Sequence, residues 1–352
     1  MNSALAEKSL VFVLGAGASK EVNLPVGSEL KEQIAKVLDI RYESFRKISG
    51  DDIINESLRI LVANGDINPY LGAAWRIRDA MPQAISIDNF IDSHRIDEKI
   101  SKCGKLAIAR CILTAESKSL LKVDRQNIYN KLKFTALEPT WFNAFFQLLT
   151  ENCQQSDLPG RLSKVAIICF NYDRCIEHFL YLSLQNYYNM QPDEASAALK
   201  HLEIYHPYGM VGKLPWQSDN RDGFEFGDTP NPMQLLALAS QLRTFTEGIE
   251  PLNSDISEIR AILSSAHRIA FLGFAFHRLN IELLFPEQDD GIKNLRDCRV
   301  YATAYGISTA NIQVINQELI NFGGIYYEHI FLEKDLKCSQ LFREFWRSLL
   351  LQ

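Results

Sequence analysis

Four short apolar runs restrict the folds open to this chain. Each run is five or six residues long, is apolar at most of its positions, and precedes a loop and a segment of helical periodicity. Strands that are buried on both faces are typical of parallel sheets covered by helices. The sequence therefore predicts an α/β fold with a Rossmann-like parallel sheet. Its strands are expected at Ser9 to Leu14, Val165 to Phe170, Arg268 to Leu272 and Arg299 to Thr303, with a weaker candidate at Ile325 to His329.

A long stretch between the first two runs has the periodicity of helices. From about Ser28 to Gly160 apolar residues recur at helical spacing, and no convincing strand interrupts them. We expect an all-helical module, residues 31–160, to be inserted into a Rossmann-like domain made of residues 1–30 and 161–352. The residues that carry this spacing include Ile128, Leu132 and Phe134, and Trp141, Phe145 and Leu148.

Composition narrows the class of protein. The 352 residues are 47% hydrophobic and 23% charged, which are values of a globular protein. A net charge of −6 without a dense Lys/Arg run argues against nucleic acid as the direct ligand. No secretory signal and no membrane-spanning stretch is recognised. Seven scattered cysteines without a CxxC pair argue against a disulfide framework and a zinc ribbon, so we expect a cytoplasmic, metal-free protein.

A glycine-rich turn follows the first predicted strand. It reads Gly15-Ala16-Gly17-Ala18-Ser19, and glycine at such a turn lets backbone amides approach a pyrophosphate at the start of the next helix. The third glycine of the dehydrogenase fingerprint is replaced by Lys20, which weakens a hydride-transfer interpretation. The alternative is a tight strand-to-helix turn that binds no ligand.

Polar residues follow the second predicted strand in the segment Phe170-Asn171-Tyr172-Asp173. The carboxyl ends of parallel strands border the crevice in which open α/β sheets bind ligands, so Asn171 and Asp173 are candidates to contact one ligand. The alternative for Asp173 is that it only caps the helix that begins near Arg174.

Two further segments are weaker candidates. His206, in Tyr205-His206-Pro207-Tyr208-Gly209, has a side chain suited to act as a base at neutral pH, although six other histidines are present. Gly273-Phe274-Ala275-Phe276 follows the third predicted strand, and its glycine again permits close backbone approach to a dinucleotide.

Taken in order, these four segments resemble the sirtuin family, and in particular its bacterial sirtuin-like branch of NAD-consuming effectors in anti-phage defence. Ser86-Ile87-Asp88-Asn89-Phe90 is similar to an SIDxF segment of that branch. The resemblance covers only these short segments. The chain departs from the family pattern after Pro25, at Ala275 and at Arg278. It also lacks the four-cysteine zinc module, whose place the helical insert would take.

The resemblance implies a set of site residues. Asn171, Asp173 and His206 would surround the nicotinamide ribose, with Asn171 orienting water or a ribose hydroxyl, His206 as the base, and Asp173 holding the nicotinamide amide or favouring positive charge. The residues implied to hold the rest of NAD are Gly15, Ala16, Gly17, Ala18, Ser19, Pro25, Gly273, Phe274, Ala275 and Phe276.

The same resemblance implies an NAD glycohydrolase that releases nicotinamide and ADP-ribose and is held inactive until infection. Because no fused sensor is recognised, we expect activation through homo-oligomerisation or a separate partner such as a HerA-like ATPase or an Argonaute. Three alternatives remain open: a non-catalytic NAD or ADP-ribose sensor, a protein deacylase or ADP-ribosyltransferase, and an ordinary dehydrogenase.

Overall fold

The computed structural model describes residues 8–63, 65–124, 131–218, 222–248, 255–285 and 295–351. Ile128, one of the residues on which the helical prediction rests, lies outside this set. Within it, no helix is both long and apolar enough to cross a membrane.

The described residues form eight β-strands in two sheets. Six strands make an all-parallel central sheet in the order β5-β4-β1-β6-β7-β8, and β2 and β3 make a separate antiparallel pair. The strands are β1 (Leu10–Leu14), β2 (Arg41–Glu43), β3 (Arg46–Ser49), β4 (Val165–Cys169), β5 (Glu203–Tyr205), β6 (Arg268–Leu272), β7 (Arg299–Thr303) and β8 (Ile330–Glu333).

Sixteen α-helices are present in the described part of the chain, with four short 3₁₀ turns. The helices are α1 (Ala16–Lys20), α2 (Gly27–Val37), α3 (Asp52–Val62), α4 (Asn68–Ala80), α5 (Ile87–Ser93), α6 (Glu98–Glu116), α7 (Trp141–Thr150), α8 (Leu158–Ser163), α9 (Cys175–Tyr188), α10 (Pro192–Leu199), α11 (Pro232–Ala239), α12 (Phe245–Gly248), α13 (Ile256–Ser264), α14 (Arg278–Leu284), α15 (Thr309–Gly323) and α16 (Cys338–Leu349). The 3₁₀ turns are Phe134–Ala136, Gln155–Asp157, Pro215–Gln217 and Tyr327–His329.

Alternate residues of each central strand enter two hydrophobic cores, one on each face of the sheet. Val11 and Val13 of β1 belong to the first core, with apolar residues of α2 to α6, α11 and α13 to α15. Leu10, Phe12 and Leu14 belong to the second, with residues of α7 to α10 and α16. The observed architecture is therefore a mixed α/β fold in three layers, consistent with a Rossmann-like fold.

The six parallel strands follow the order of a doubly wound sheet. Counted along the chain within this sheet alone, their spatial order is 3-2-1-4-5-6. The chain builds outward from β1 through β4 to β5, then returns to the other side of β1 to add β6, β7 and β8. In such sheets the crevice at the point of reversal is the usual ligand site. Here that point lies between the carboxyl ends of β1 and β6.

Two strand predictions were wrong. A hairpin of β2 and β3 interrupts the stretch in which no strand was expected, and its turn residues Ser44 and Phe45 have left-handed φ values of 46° and 63°. The hairpin was missed because neither turn residue is glycine or asparagine, the usual signal. The candidate at Ile325 to His329 contains a 3₁₀ turn, and the strand is Ile330–Glu333, a partly exposed edge.

Most of the expected helices between residues 31 and 160 are present, but Leu132 lies in a loop and Phe134 begins a 3₁₀ turn, so the helical prediction was wrong at these two residues. The helices that are present do not pack as one body. Helices α2 to α6 cover the first face of the sheet, whereas α7 and α8 cover the second face. The division of the chain into an inserted module and a Rossmann-like domain stays a prediction.

Candidate functional site

The turn after β1 packs directly against the turn after β6. The N–H of Gly15 donates to the carbonyl of Leu272 at 3.0 Å, and the N–H of Gly17 donates to the carbonyl of Gly273 at 3.0 Å. A Cβ atom at Gly15 would lie 2.6 Å from the Gly273 oxygen, and one at Gly17 would lie 2.8 Å from the Gly273 Cα. These glycines are therefore required first of all by the contact between the two turns.

Gly273 completes that contact from the β6 side. Its φ of +56° is a left-handed conformation that favours glycine, and a Cβ there would lie 2.1 Å from the backbone nitrogen of Ala18. Its own N–H donates to the Thr303 hydroxyl at 2.8 Å, which ties the turn to the end of β7. The switch point of the sheet is thus a rigid junction of three strand ends.

Two cavities meet at this junction. An inner cavity of about 360 Å³ lies towards the end of β4, and an outer cavity of about 680 Å³ lies towards the end of β7. Four residues line both cavities and form a shared boundary, which we call the waist: Ala16, Gly27, Phe274 and Ala275. A ligand that crosses the waist would contact both turns.

Most of the predicted site residues line these cavities. Among the residues that the structure describes, the inner cavity is lined by Gly15, Ala16, Pro25, Asn171, Asp173, Phe274 and Ala275, and the outer cavity by Ala16, Gly17, Gly273, Phe274 and Ala275. The other four, Ala18, Ser19, His206 and Phe276, line neither. Ala18 and Phe276 are buried apolar residues, and Ser19 and His206 both contact Asn171.

Asn171 is held firmly in the wall of the inner cavity. Its Nδ2 donates to the carbonyl of Gly15 at 3.0 Å and to the Ser19 hydroxyl at 2.9 Å, and the residue is 8% exposed. Both amide hydrogens therefore bind the β1 turn. The remaining polar atom, Oδ1, can only accept a hydrogen bond, such as one from water or a ribose hydroxyl.

Asp173 precedes a helix and also lines the inner cavity. Its Oδ1 accepts a hydrogen bond from the N–H of Cys175, the first residue of α9, at 3.0 Å. Burial raises the pKa of the Asp173 carboxyl, and the hydrogen bond from Cys175 lowers it by less. This bond ties Asp173 to the start of α9, but the N-cap position is Arg174, so the capping alternative weighed from the sequence is met only in part.

His206 lies behind the cavity wall. Its Nδ1 is 3.1 Å from the backbone oxygen of Asn171, and its Nε2 is 2.7 Å from Oε1 of Glu177. The side chains of His206 and Glu177 are 8% and 2% exposed. Burial lowers the pKa of His206, but Cys169 and Glu177 raise it more, and the net pKa is well above its ordinary value. The role of His206 as a base stays a prediction, since both ring nitrogens are already engaged.

Three residues of the SIDNF segment, Ser86, Asp88 and Asn89, also form a wall of the inner cavity. The hydroxyl of Ser86 accepts a hydrogen bond from the N–H of Asn89 at 3.1 Å and so caps α5. Asp88 accepts a hydrogen bond from the hydroxyl of Tyr172, which joins this wall to the end of β4. Burial raises the pKa of the Asp88 carboxyl, and the bond from Tyr172 lowers it by less.

Sequence reasoning missed several residues of this site. Glu177 follows Asp173 by one helical turn, a spacing that could have indicated a second carboxylate on the same side of α9. Tyr208 and Asn280 line the inner cavity and share a hydrogen bond, but nothing in their spacing along the chain indicates it.

Comparison with protein-family models and with curated proteins gives no match. The described residues contain no group of three His, Cys, Asp or Glu side chains arranged to hold a metal ion.

Proposed function

We propose that the two cavities together bind one NAD molecule and that the protein hydrolyses the bond between nicotinamide and ribose. The observation that carries the proposal is the waist, because two cavities joined at the switch point of a doubly wound sheet form an elongated cleft suited to a dinucleotide. The four sequence segments that resemble the sirtuin family add support, since at least one residue of each borders this cleft.

The polar groups suggest how NAD would be oriented. The inner cavity is lined by three acidic side chains, Asp88, Asp92 and Asp173, and by the cationic Arg278, among apolar and aromatic side chains, so its acidic groups are in excess. Such surroundings favour a cation, and the oxidised nicotinamide ring is one. We therefore place the nicotinamide and its ribose in the inner cavity, the pyrophosphate at the waist and the adenosine in the outer cavity.

Cleavage in this arrangement needs little proton transfer. The C1′–N bond breaks with its electron pair going to nicotinamide, which leaves as a neutral molecule, and a positive charge develops on the ribose. Oδ1 of Asn171 would orient the attacking water or a ribose hydroxyl, and the Asp173 carboxylate would favour the developing charge. Water then adds at C1′ and loses its proton to solvent, which gives ADP-ribose.

One observation favours a second candidate function, an NAD or ADP-ribose sensor without turnover. His206 faces away from the inner cavity, with Nε2 bound to Glu177 and Nδ1 against Asn171. In this geometry the site lacks the base that the sirtuin resemblance implies. Binding would then control assembly with another protein.

Chromatography of reaction products separates the two functions. Purified protein, alone and after co-expression with the products of neighbouring genes, is incubated with NAD. The glycohydrolase predicts that nicotinamide and ADP-ribose appear in equal amounts. Saturable NAD binding without either product under every condition would favour the sensor, and label transferred from NAD to protein would indicate an ADP-ribosyltransferase.

The resemblance also supports a biological role, which we propose as part of this function. An NAD glycohydrolase of this kind would act in bacterial anti-phage defence by depleting NAD. Activation would come from self-assembly or from a partner such as a HerA-like ATPase or an Argonaute. NAD consumption that rises with protein concentration would support the first route, and consumption only with the partner present would support the second.

A further inference from the structure

A buried chain of hydrogen bonds runs from α9 to the wall of the inner cavity. It links the Glu177 carboxylate, the His206 imidazole and the backbone carbonyl of Asn171 through distances of 2.7 and 3.1 Å. All three members are at most 8% exposed to solvent. The cost of burying these groups suggests that the chain has a purpose beyond filling the core.

The acceptors in this chain fix the protonation of His206. A backbone carbonyl can only accept a hydrogen bond, so Nδ1 must carry a hydrogen atom. An ionised carboxylate oxygen also only accepts, so with Glu177 ionised Nε2 carries a hydrogen atom as well. His206 is therefore a positively charged imidazolium that donates from both nitrogens, and Glu177 supplies the balancing negative charge.

Glu177 is the carboxylate that faces His206 directly. Cys169, at the end of β4, also lies beside His206 and, with Glu177, raises its pKa, while burial raises the pKa of the Cys169 thiol itself. Asp173 lies nearby, and its carboxylate is engaged with the N–H of Cys175. The second oxygen of Glu177 is buried and has no hydrogen-bond partner among the described residues, so His206 is the main interaction of this carboxylate.

We propose that Glu177 is a positioning residue for NAD cleavage, which holds His206 as a double donor so that His206 fixes the Asn171 peptide in the cavity wall. This inference rests on the proposed function. With its carbonyl held by His206, Asn171 keeps both amide hydrogens on the β1 turn and directs Oδ1 to the ligand. Glu177 itself does not touch NAD.

The inference predicts a particular pH dependence. The ion pair is complete below the raised pKa of His206 and is lost as pH rises through it. In Glu177→Gln the hydrogen-bonded carboxylate that helps to raise this pKa is removed, so the alkaline limb of the kcat profile should move to lower pH by at least about one unit. KM should change less than about twofold, because Glu177 makes no contact with NAD.

The experiment compares the pH profile of kcat for NAD in three proteins: the wild type, Glu177→Gln, and Glu344→Gln as a control with an exposed carboxylate on α16.

A second readout needs no variant: nitrogen-labelled histidine should show both ring nitrogens of His206 protonated at pH 7. The inference is overturned if the alkaline limb is the same in Glu177→Gln as in the wild type. It is also overturned if His206 is neutral in the wild type. Failure of the wild type to cleave NAD under every condition overturns the proposed function as well.

Discussion

Replacing Glu116 with alanine is expected to lower the free energy of unfolding by about 3–5 kcal/mol, because it leaves a buried cation without its partner. Glu116 and Arg174 are both fully buried, and their Oε2 and Nη2 atoms are 2.6 Å apart. Arg174 also donates to the carbonyls of Phe224 and Glu225, and Glu116 accepts from the N–H of Gly227. The pair therefore joins the end of α6 and the loop at residues 224–227 to the segment that begins α9.

Urea denaturation measures this effect. Lys102→Ala is a suitable control, because Lys102 lies on the same helix and makes an exposed pair with Glu98, expected to contribute no more than about 0.5 kcal/mol. The double variant Glu116→Leu with Arg174→Met should recover part of the loss, since no unpaired charge remains. A loss below about 1 kcal/mol in Glu116→Ala would contradict this account of the pair.

Replacing Asn171 with alanine is expected to reduce NAD cleavage at least about 100-fold, the size of effect seen when one preorganised polar contact to a transition state is removed. The variant removes Oδ1 from the inner cavity and also the two hydrogen bonds from Nδ2 to Gly15 and Ser19. The loss of Oδ1 affects the reaction directly. The loss of the two hydrogen bonds affects the shape of the β1 turn.

Ser19→Ala separates these two losses. It removes one of the hydrogen bonds that hold Asn171 but leaves Oδ1 in place, so turnover should fall far less than in Asn171→Ala. Product formation is measured by chromatography, and thermal unfolding of each variant confirms that it is folded. Turnover in Asn171→Ala within threefold of the wild type would remove Asn171 from the mechanism.

The sequence predicted the central strands well because those strands are buried on both faces. The runs at β1, β4, β6 and β7 are apolar at nearly every position, and the structure confirms all four within one residue at each end. The short edge strand β5 was not predicted, and β8, at the other edge, was misplaced. Edge strands cover less of the core, so their sequences carry a weaker apolar signal.

Sequence also located the strand ends that meet, but not the directions of their side chains. Parallel strands bring their carboxyl ends to one edge, so the segments after β1, β4 and β6 were expected to converge, and they do. Whether His206 faces the cavity depends on the path of the loop after β5 and on a carboxylate from α9. Spacing along the chain determines neither, which is why Glu177 was missed.

The central claim is that one dinucleotide crosses the waist between the two cavities, and Ala275 offers the most direct test of it. Ala275 is exposed and lines both cavities, so Ala275→Trp should block the crossing without disturbing the core. Calorimetric titration with ADP-ribose, which is not consumed, compares the wild type, this variant and Ala197→Trp, an exposed alanine on α10. The account predicts that Ala275→Trp weakens binding at least about tenfold, or ~1.4 kcal/mol, with the control unchanged. Equal affinity in all three proteins would contradict it.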